Sequence, residues 1–276
     1  LVPITHDIAV ARALGGSAMI LREGEVVESG PAEAVLSAPQ SDYGRELVAA
    51  DPAAWPQPES LAASGDSVLR AEALSVARGQ RLLCADIGFE LPAGGRLAIT
   101  GPSGLGKTSL LDTLAGLIPP ASGRVERLAG ARAPFGLQKL YQDPPAAFAP
   151  HVSLQASLGD LERRHRLPRE RLPRLLERLG LVPDLLARRP GAVSGGELQR
   201  LALARVLALT PAVILADEPT SRLDPVTQRR VMAVIGEAAE EVEAAVILVT
   251  HHATMARHWA RDVLDLGRHA DRAITA

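Results

Sequence analysis

The chain has 276 residues, of which 47% are hydrophobic, and its formal net charge is −2. This composition can supply a buried core for one large or two small domains, and the nearly balanced charge argues against a nucleic-acid-binding protein, which usually carries a strong basic excess. No stretch reaches the roughly 18 uncharged apolar residues of a membrane-spanning helix. The single cysteine, Cys84, excludes an intrachain disulfide and is typical of a reducing cytoplasm.

Two segments of the chain resemble each other without a gap. Ile4–Arg12 reads ITHDIAVAR and Val249–Arg257 reads VTHHATMAR, and Ala18–Leu21 falls on Val263–Leu266 in the same register. A Thr-His pair and an Ala-Arg pair recur in both. Repetition at a spacing of about one domain plus a linker predicts two copies of one unit, although an alanine-rich chain also produces such similarity by chance.

The repeat predicts three parts. Residues 1–55 would be the C-terminal remnant of a first copy, and residues 68–276 a second copy. Residues 56–67 are rich in Pro, Ala, Ser and Gly without periodic apolar positions, which is typical of a linker. The chain begins with Leu rather than Met and shows no signal-peptide pattern, so we expect it to be part of a longer protein.

Residues 101–108 read GPSGLGKT, the complete G-x-x-x-x-G-K-[ST] pattern of a phosphate-binding loop. An apolar run at Arg96–Thr100 predicts a buried strand before the loop, and helical spacing follows it. Lys107 would reach the β- and γ-phosphates, and the Thr108 hydroxyl would bind Mg2+. We therefore predict a nucleoside triphosphate site whose binding residues are Gly101, Pro102, Ser103, Gly104, Leu105, Gly106, Lys107 and Thr108.

Small residues precede a later helical pattern. Val193–Arg200 reads VSGGELQR and is followed by an apolar run with helical spacing. Small residues at a helix start allow a close backbone approach, so Ser194, Gly195, Gly196 and Glu197 are candidates for a second anion-binding helix terminus. An ordinary helix cap accounts for the same residues nearly as well.

Ala212–Glu218 reads AVILADE and predicts a buried strand that ends in two adjacent carboxylates. Asp217 would lie near the Mg2+ shell and Glu218 where an attacking water would be placed, which is the division of roles that phosphoryl transfer needs. Alone, the pattern also suits an ordinary strand end with solvated acids. Its position after a phosphate-binding loop favours the catalytic interpretation.

Taken in order, these motifs resemble those of the ATP-binding-cassette (ABC) ATPases, and the resemblance covers nearly the whole chain. It identifies residues 193–197 as the signature motif of the family, and it adds a Gln loop at 140–144, a D-loop at 221–224 and a switch histidine at His251. By this resemblance Gln142 contacts Mg2+ and relays movement to a membrane subunit, Asp224 lies at a dimer interface beside the nucleotide, and His251 reaches the γ-phosphate. The family hydrolyses ATP at two composite sites, each formed by the phosphate loop of one cassette and the signature of another.

The resemblance implies an α/β P-loop NTPase cassette with a mostly parallel sheet. Strands are expected before Gly101 and at 212–216 and 244–250, together with an antiparallel β subdomain near 68–92 and a helical subdomain at about 143–192. The catalytic candidates are Glu218, His251 and Gln142, and the expected Mg2+ ligands are Thr108, Gln142 and Asp217.

Three segments, Gly24–Gly30, Asp42–Val48 and Gln142–Pro150, are similar to parts of the dipeptide, oligopeptide and nickel importer group, in which fusion of two cassettes is known. The similarity implies a peripheral subunit at the cytoplasmic face of the membrane that powers import of a peptide or a nickel-like solute. Its partners would be a second cassette, separate permeases and, indirectly, a solute-binding protein. His6 would be the switch histidine of the first cassette.

Two other functions stay open as alternatives. One is a soluble ABC ATPase without a channel, acting in translation, repair or enzyme-complex assembly. The other is a regulatory nucleotide-binding module without turnover, which the presence of Glu218 and His251 disfavours.

Three positions depart from the family pattern. Arg78 stands where an aromatic residue often stacks on adenine, although a guanidinium can also stack. His252 replaces the Asp7 of the first copy, and Arg222 occupies a D-loop position that is more often small.

Overall fold

The computed structural model describes the backbone of residues 2–5, 7–55, 65–221 and 223–274. In chain order, the helices are α1 (Ile8–Leu14), α2 (Ala32–Ser37), α3 (Asp42–Ala49), α4 (Lys107–Leu114), α5 (Leu154–His165), α6 (Arg171–Arg178), α7 (Gly195–Leu207), α8 (Pro225–Glu241), α9 (Ala253–Trp259) and α10 (Leu266–Ile274). The strands are β1 (Ser17–Arg22), β2 (Glu25–Pro31), β3 (Ser67–Arg78), β4 (Arg81–Pro92), β5 (Arg96–Thr100), β6 (Ser122–Arg127), β7 (Leu137–Leu140), β8 (Val213–Asp217), β9 (Ala245–Val249) and β10 (Asp262–Asp265).

Five parallel strands form the central sheet, in the order β10-β5-β9-β8-β7. Every residue of β8 and β9 is buried. Alternate residues pack into two apolar clusters on opposite faces: Ile214 joins the cluster that contains α7 and α8, and Leu215 joins the cluster that contains α4 and β3. Strands covered on both faces are continuous apolar runs, which is why the sequence predicted them. Each begins one residue later than expected.

A second sheet is antiparallel, with the strand order β4-β3-β6. The long hairpin of β3 and β4 is the antiparallel region predicted near 68–92. Strand β6 was not predicted, because Ser122–Arg127 reads SGRVER and holds one typical strand former, Val125. The sheet packs against α4, so it supports the helix that follows the phosphate-binding loop. These features confirm the predicted α/β cassette.

The chain between 143 and 192 contains α5, α6 and short 3-10 turns, as expected for the helical region. Its leucines pack with α7 in one apolar cluster, which includes Leu154, Leu158, Leu161, Leu172, Leu175 and Leu176. Leucines three and four residues apart share one helix face, and burying that face fixes the start of α7. The predicted signature residues lie at that start.

The segment before residue 56 folds as α1, the antiparallel hairpin β1–β2, α2 and α3, around a small cluster of Ile8, Ala32 and Leu36. It also contacts the main body, since α3 packs on α8. His258 Nδ1 lies 3.0 Å from the carbonyl oxygen of Trp55, whose ring packs against the larger core.

The two repeated segments have similar local structure. In each segment, a helix of seven residues (α1 or α9) is separated by two residues from the strand that follows it (β1 or β10). A side chain caps each helix: Asp7 accepts from the amides of Ala9 and Val10, and His252 Nδ1 accepts from that of Met255. His6 and most of the predicted linker, residues 56–64, lie outside the described residues. Within the described part of the chain, no helix is both long and apolar enough to cross a bilayer.

Candidate nucleotide site

The phosphate-binding loop connects β5 to α4, in the predicted order of strand, loop and helix. Gly101, Gly104 and Gly106 have φ values of +143°, +85° and +91°, which disfavour residues with a Cβ. Gly106 is also packed closely, because a Cβ built on it would lie 2.8 Å from Cδ1 of Leu83 on β4. The loop therefore depends on glycine both for its backbone conformation and for its fit beneath the antiparallel sheet.

The Lys107 side chain folds back over this loop. Its Nζ donates to the carbonyl oxygens of Gly101, at 2.8 Å, and Pro102, at 3.0 Å, and the residue is 6% exposed. An ammonium group held inside the loop is placed to meet anionic oxygens that enter it. The neighbouring Thr108 is exposed at the first turn of α4.

Asp217 is the last residue of β8 and is 2% exposed. The Thr108 hydroxyl lies near enough to this carboxylate to lower its pKa. Lys139 Nζ lies 3.6 Å from Asp217 Oδ2. Burial raises the pKa of Asp217, and Lys139 and Thr108 oppose part of that rise.

The oxygen donors of Thr108 and Asp217 suit Mg2+, a hard cation that is usually bound by one or two carboxylates together with substrate phosphates and water. The described residues include no group of three or more His, Cys, Asp or Glu side chains able to hold a metal. The donor set therefore fits a metal that arrives with the phosphates rather than a metal cage made by protein alone.

Glu218 follows Asp217 and has a φ of +46°, an unusual conformation for a residue with a side chain. Its amide donates to the carbonyl oxygen of Val249 on the adjacent strand, at 3.0 Å. Its Oε2 accepts from Gln142 Nε2 at 3.3 Å and lies 3.4 Å from His251 Nδ1. The structure thus brings all three predicted catalytic side chains to one carboxylate oxygen.

The common origin of these side chains explains their meeting. Gln142 follows β7, Glu218 follows β8 and His251 follows β9, and these are three adjacent strands of the parallel sheet. The carboxyl ends of parallel strands lie at one edge, where ligands bind in open α/β sheets.

The predicted signature forms the start of α7. Ser194 Oγ accepts from the amide of Glu197 at 3.3 Å, while Glu197 Oε2 accepts from the amide and the hydroxyl of Ser194, both at 2.8 Å. These bonds form a capping box and lower the pKa of Glu197. Glu197 thus turns back onto its own helix cap, while Ser194 and Gly195 are exposed. Among the described residues, no hydrogen bond or ion pair joins the signature to the phosphate-binding loop.

The ABC transporter family model matches residues 84–221, from Cys84 on β4 to Ser221, three residues after Glu218. A phosphonates import ATP-binding protein of Rhodopseudomonas palustris is 33% identical, over 72% of this chain and 76% of that relative. The chain belongs to the ABC transporter family. The predicted family and the predicted class of protein, an ABC ATPase cassette, are confirmed.

Other relatives of this ABC cassette are longer proteins. A di/tripeptide transport ATP-binding protein of Pseudomonas aeruginosa is 34% identical, over 67% of this chain and 62% of the relative. A peptidoglycan transport ATP-binding protein of Agrobacterium fabrum is 29% identical, over 95% of this chain and 52% of the relative. The chain thus spans about half to three-fifths of the length of these two proteins.

Solved ABC structures have the same fold. The protein cbiO1 of Clostridium perfringens, part of the transporter complex cbiONQ, matches with a TM-score of 0.63 and 25% identity, over 73% of this chain and 85% of that one. The bacterial cassette MJ0796, solved as a dimer, matches with a TM-score of 0.61 and 25% identity, over 72% and 94%.

The remaining predicted residues of the cassette are placed as follows. Asp224 caps α8 by accepting from the amide of Thr227 at 3.0 Å. Burial acts to raise its pKa, but the hydrogen bonds from Thr227, Val226 and its own amide together outweigh burial and lower the pKa. Arg78 is exposed at the end of β3, beside the turn that leads to β4. The cap that His252 forms on α9 explains how it can replace an aspartate. Arg222 lies outside the described residues.

Two features of the site were not predicted from the sequence. A cleft of about 130 Å³ beside Glu218 and His251 is lined in part by Asp7 and Asp51 from the N-terminal segment. The other is Lys139, which is buried beside Asp217. Its signal in the sequence was rarity, because 28 of the 30 basic residues are arginine and the two lysines are Lys107 and Lys139.

Proposed function

We propose that this chain binds Mg-ATP and hydrolyses it to power import of a small solute through separate membrane permeases. The observation that carries the proposal is the meeting of Gln142 and His251 at the Glu218 carboxylate, beside the buried Asp217 and the phosphate-binding loop. A carboxylate held there by two polar side chains is suited to accept a proton from an attacking water.

Each side chain would have a distinct role. The amides of residues 101–106 and Lys107 would hold the phosphates, and Glu218 would orient the attacking water and accept its proton. His251 would contact the γ-phosphate. Thr108, Asp217 and the amide oxygen of Gln142 would hold Mg2+, which supplies charge neutralisation of the phosphates when bound. Arg78 would stack on the adenine.

The signature would act on a nucleotide bound to another cassette. Ser194 and Gly195 are exposed at the start of α7 and make no described bond to the phosphate-binding loop of their own chain. A helix start with a free polar surface suits an anion. We propose that a second cassette completes the site, with Asp224 at the interface, and that Glu197 supports this terminus through its capping box.

We also propose that residues 1–55 are the end of a first cassette and that residues 56–67 link it to the second. The matched helix and strand at α1–β1 and α9–β10 support this assignment. So does exposure: Leu21 on β1 is 58% exposed, whereas its counterpart Leu266 is fully buried against the central sheet. In a complete first cassette, a strand equivalent to β5 would pair with β1, as β5 pairs with β10 here. His6 would be the switch histidine of that first cassette.

Import is supported by the printed names of relatives, which include proteins for di/tripeptide transport and for phosphonate import. We propose a peptide or a nickel-like solute, and a position at the cytoplasmic face of the membrane with permeases and, indirectly, a solute-binding protein as partners. Co-purification of the full-length protein with permeases from native membranes would test these partners.

The catalytic proposal is tested by Glu218→Gln. The amide keeps the shape and the contacts but cannot accept a proton, so phosphate release should fall by about 100-fold or more while binding of the fluorescent analogue MANT-ATP is retained. Glu33→Gln, on the exposed side of α2, is the matched control and should leave both measurements unchanged. Turnover of Glu218→Gln within about twofold of wild type would show that Glu218 is not the base.

A further inference from the structure

Lys139 is a buried cation between two carboxylates. Its Nζ lies 2.6 Å from Asp112 Oδ1 on α4 and 3.6 Å from Asp217 Oδ2 at the end of β8, and its side chain is 5% exposed. The ring of Tyr141 lies 5.0 Å from the same Nζ. Burial at this level is rare for a lysine unless the charge is paired.

The two carboxylates differ in the partners that they have besides Lys139. The Asp112 side chain is 27% exposed and can reach water, whereas the Asp217 side chain is 3% exposed and has Thr108 and Lys139 as its described partners. The shorter distance to Asp112 makes that pair the stronger one. Lys139 can therefore keep its bond to Asp112 when a second cation approaches Asp217.

From this geometry we propose that Lys139 is a positioning residue that acts as a resident counter-cation of the Mg2+ subsite. It holds Asp217 in place before the metal arrives and then competes with the metal for that carboxylate. Asp112 limits this competition by drawing the ammonium away. This inference rests on the proposed Mg-ATP function.

The two members of the pair should shift the metal dependence in opposite directions. Lys139→Met removes a positive charge beside the metal position, so Mg2+ should contribute more to nucleotide binding. Asp112→Asn releases Lys139 toward Asp217, so Mg2+ should contribute less. An ion pair that is only structural predicts lower stability in both variants with no change in metal dependence.

The experiment measures the dissociation constant of MANT-ATP for the full chain in excess Mg2+ and in EDTA, together with the melting temperature. The ratio of the EDTA value to the Mg2+ value should rise about tenfold in Lys139→Met and fall several-fold in Asp112→Asn. The matched control is Arg96→Met, which breaks the Arg96–Glu240 pair of 2.6 Å at the opposite end of β5 from the phosphate-binding loop. It should lower the melting temperature without changing the ratio.

Each outcome decides the matter. Ratios within about twofold of wild type in both site variants, or shifts of the same sign, overturn the role of Lys139. If Lys139→Met does not fold, Asp112→Asn alone decides, since its partly exposed site tolerates a neutral amide. Failure of the wild-type chain to bind MANT-ATP under any of these conditions would instead overturn the proposed function itself.

Discussion

Replacing Gly106 by alanine tests how the phosphate-binding loop is built. The change has two separable costs, because Gly106 has a φ of +91° and a Cβ on it would lie 2.8 Å from Cδ1 and 2.9 Å from Cβ of Leu83. The backbone conformation costs an alanine roughly 1–2 kcal/mol, and forcing an extra carbon into a packed site costs roughly 1–3 kcal/mol. We expect Gly106→Ala to lower the free energy of unfolding by about 2–5 kcal/mol.

A matched control isolates the first cost. Gly79, in the turn between β3 and β4, has a φ of +60° and no atom within 4 Å of a Cβ built on it. Gly79→Ala should therefore cost only about 1–2 kcal/mol, from the backbone conformation alone. In the double variant Gly106→Ala/Leu83→Ala, the close contact with Cδ1 of Leu83 is removed while the contact with its Cβ stays, so the losses from the two single substitutions should be less than additive by about 1 kcal/mol.

Urea unfolding followed by circular dichroism gives the free energies of unfolding of the wild type, the three single variants Gly106→Ala, Leu83→Ala and Gly79→Ala, and the double variant. MANT-ATP titration shows whether the loop still binds nucleotide. Affinity should fall at least about tenfold in Gly106→Ala, since the loop amides move, and stay unchanged in Gly79→Ala. Equal costs for the two glycine variants, with no coupling between Gly106 and Leu83, would refute the close packing of the loop beneath β4.

Three further predictions concern single side chains. Lys107→Ala should abolish measurable MANT-ATP binding in a fluorescence titration, because it removes the charge that the phosphates need; unchanged affinity would contradict the site. Burial raises the pKa of the Cys84 thiol to about 11, so the buried thiol stabilises the fold fully below about pH 9, and this stabilisation is lost as the pH rises toward about 11, by about 1.4 kcal/mol per pH unit. In urea unfolding, this decrease in the free energy of unfolding with pH should be absent from Cys84→Ala. An equal decrease in that variant would contradict the prediction. Trp55→Ala should lower the free energy of unfolding by roughly 1–2 kcal/mol, because the ring is half-buried against the core; no loss would mean that the N-terminal segment does not dock on α9.

Local patterns predicted the features of the fold that depend on neighbours in the chain. The apolar runs at β5, β8 and β9 marked strands buried on both faces, and the spacing of glycines and Lys107 marked the loop between a strand and a helix. The three side chains predicted to be catalytic lie together because the carboxyl ends of β7, β8 and β9 share one edge, but Gln142 and His251 were predicted by resemblance to the family and not by a local pattern.

Features that depend on distant pairing were not predictable in this way. Strand β6 forms through its partner β3 despite a polar sequence, and the contact of Trp55 with His258 joins the N-terminal segment to α9. Lys139 meets Asp112 and Asp217 through the packing of β7 against β8 and α4, which no local pattern encodes. Glu197 was predicted in a binding role, but capping-box geometry decides where its carboxylate points.

Complementation between two inactive variants tests the composite site most directly. Gly195 has no atom within 4 Å of a Cβ built on it, so Gly195→Asp should fold, while its carboxylate would repel a phosphate. Lys107→Ala removes the other half of the site. Neither variant alone should release phosphate, whereas an equal mixture should recover roughly a quarter of wild-type activity, because mixed dimers contain one intact site. No recovery in the mixture, or full activity in Gly195→Asp alone, would contradict a site shared between two cassettes.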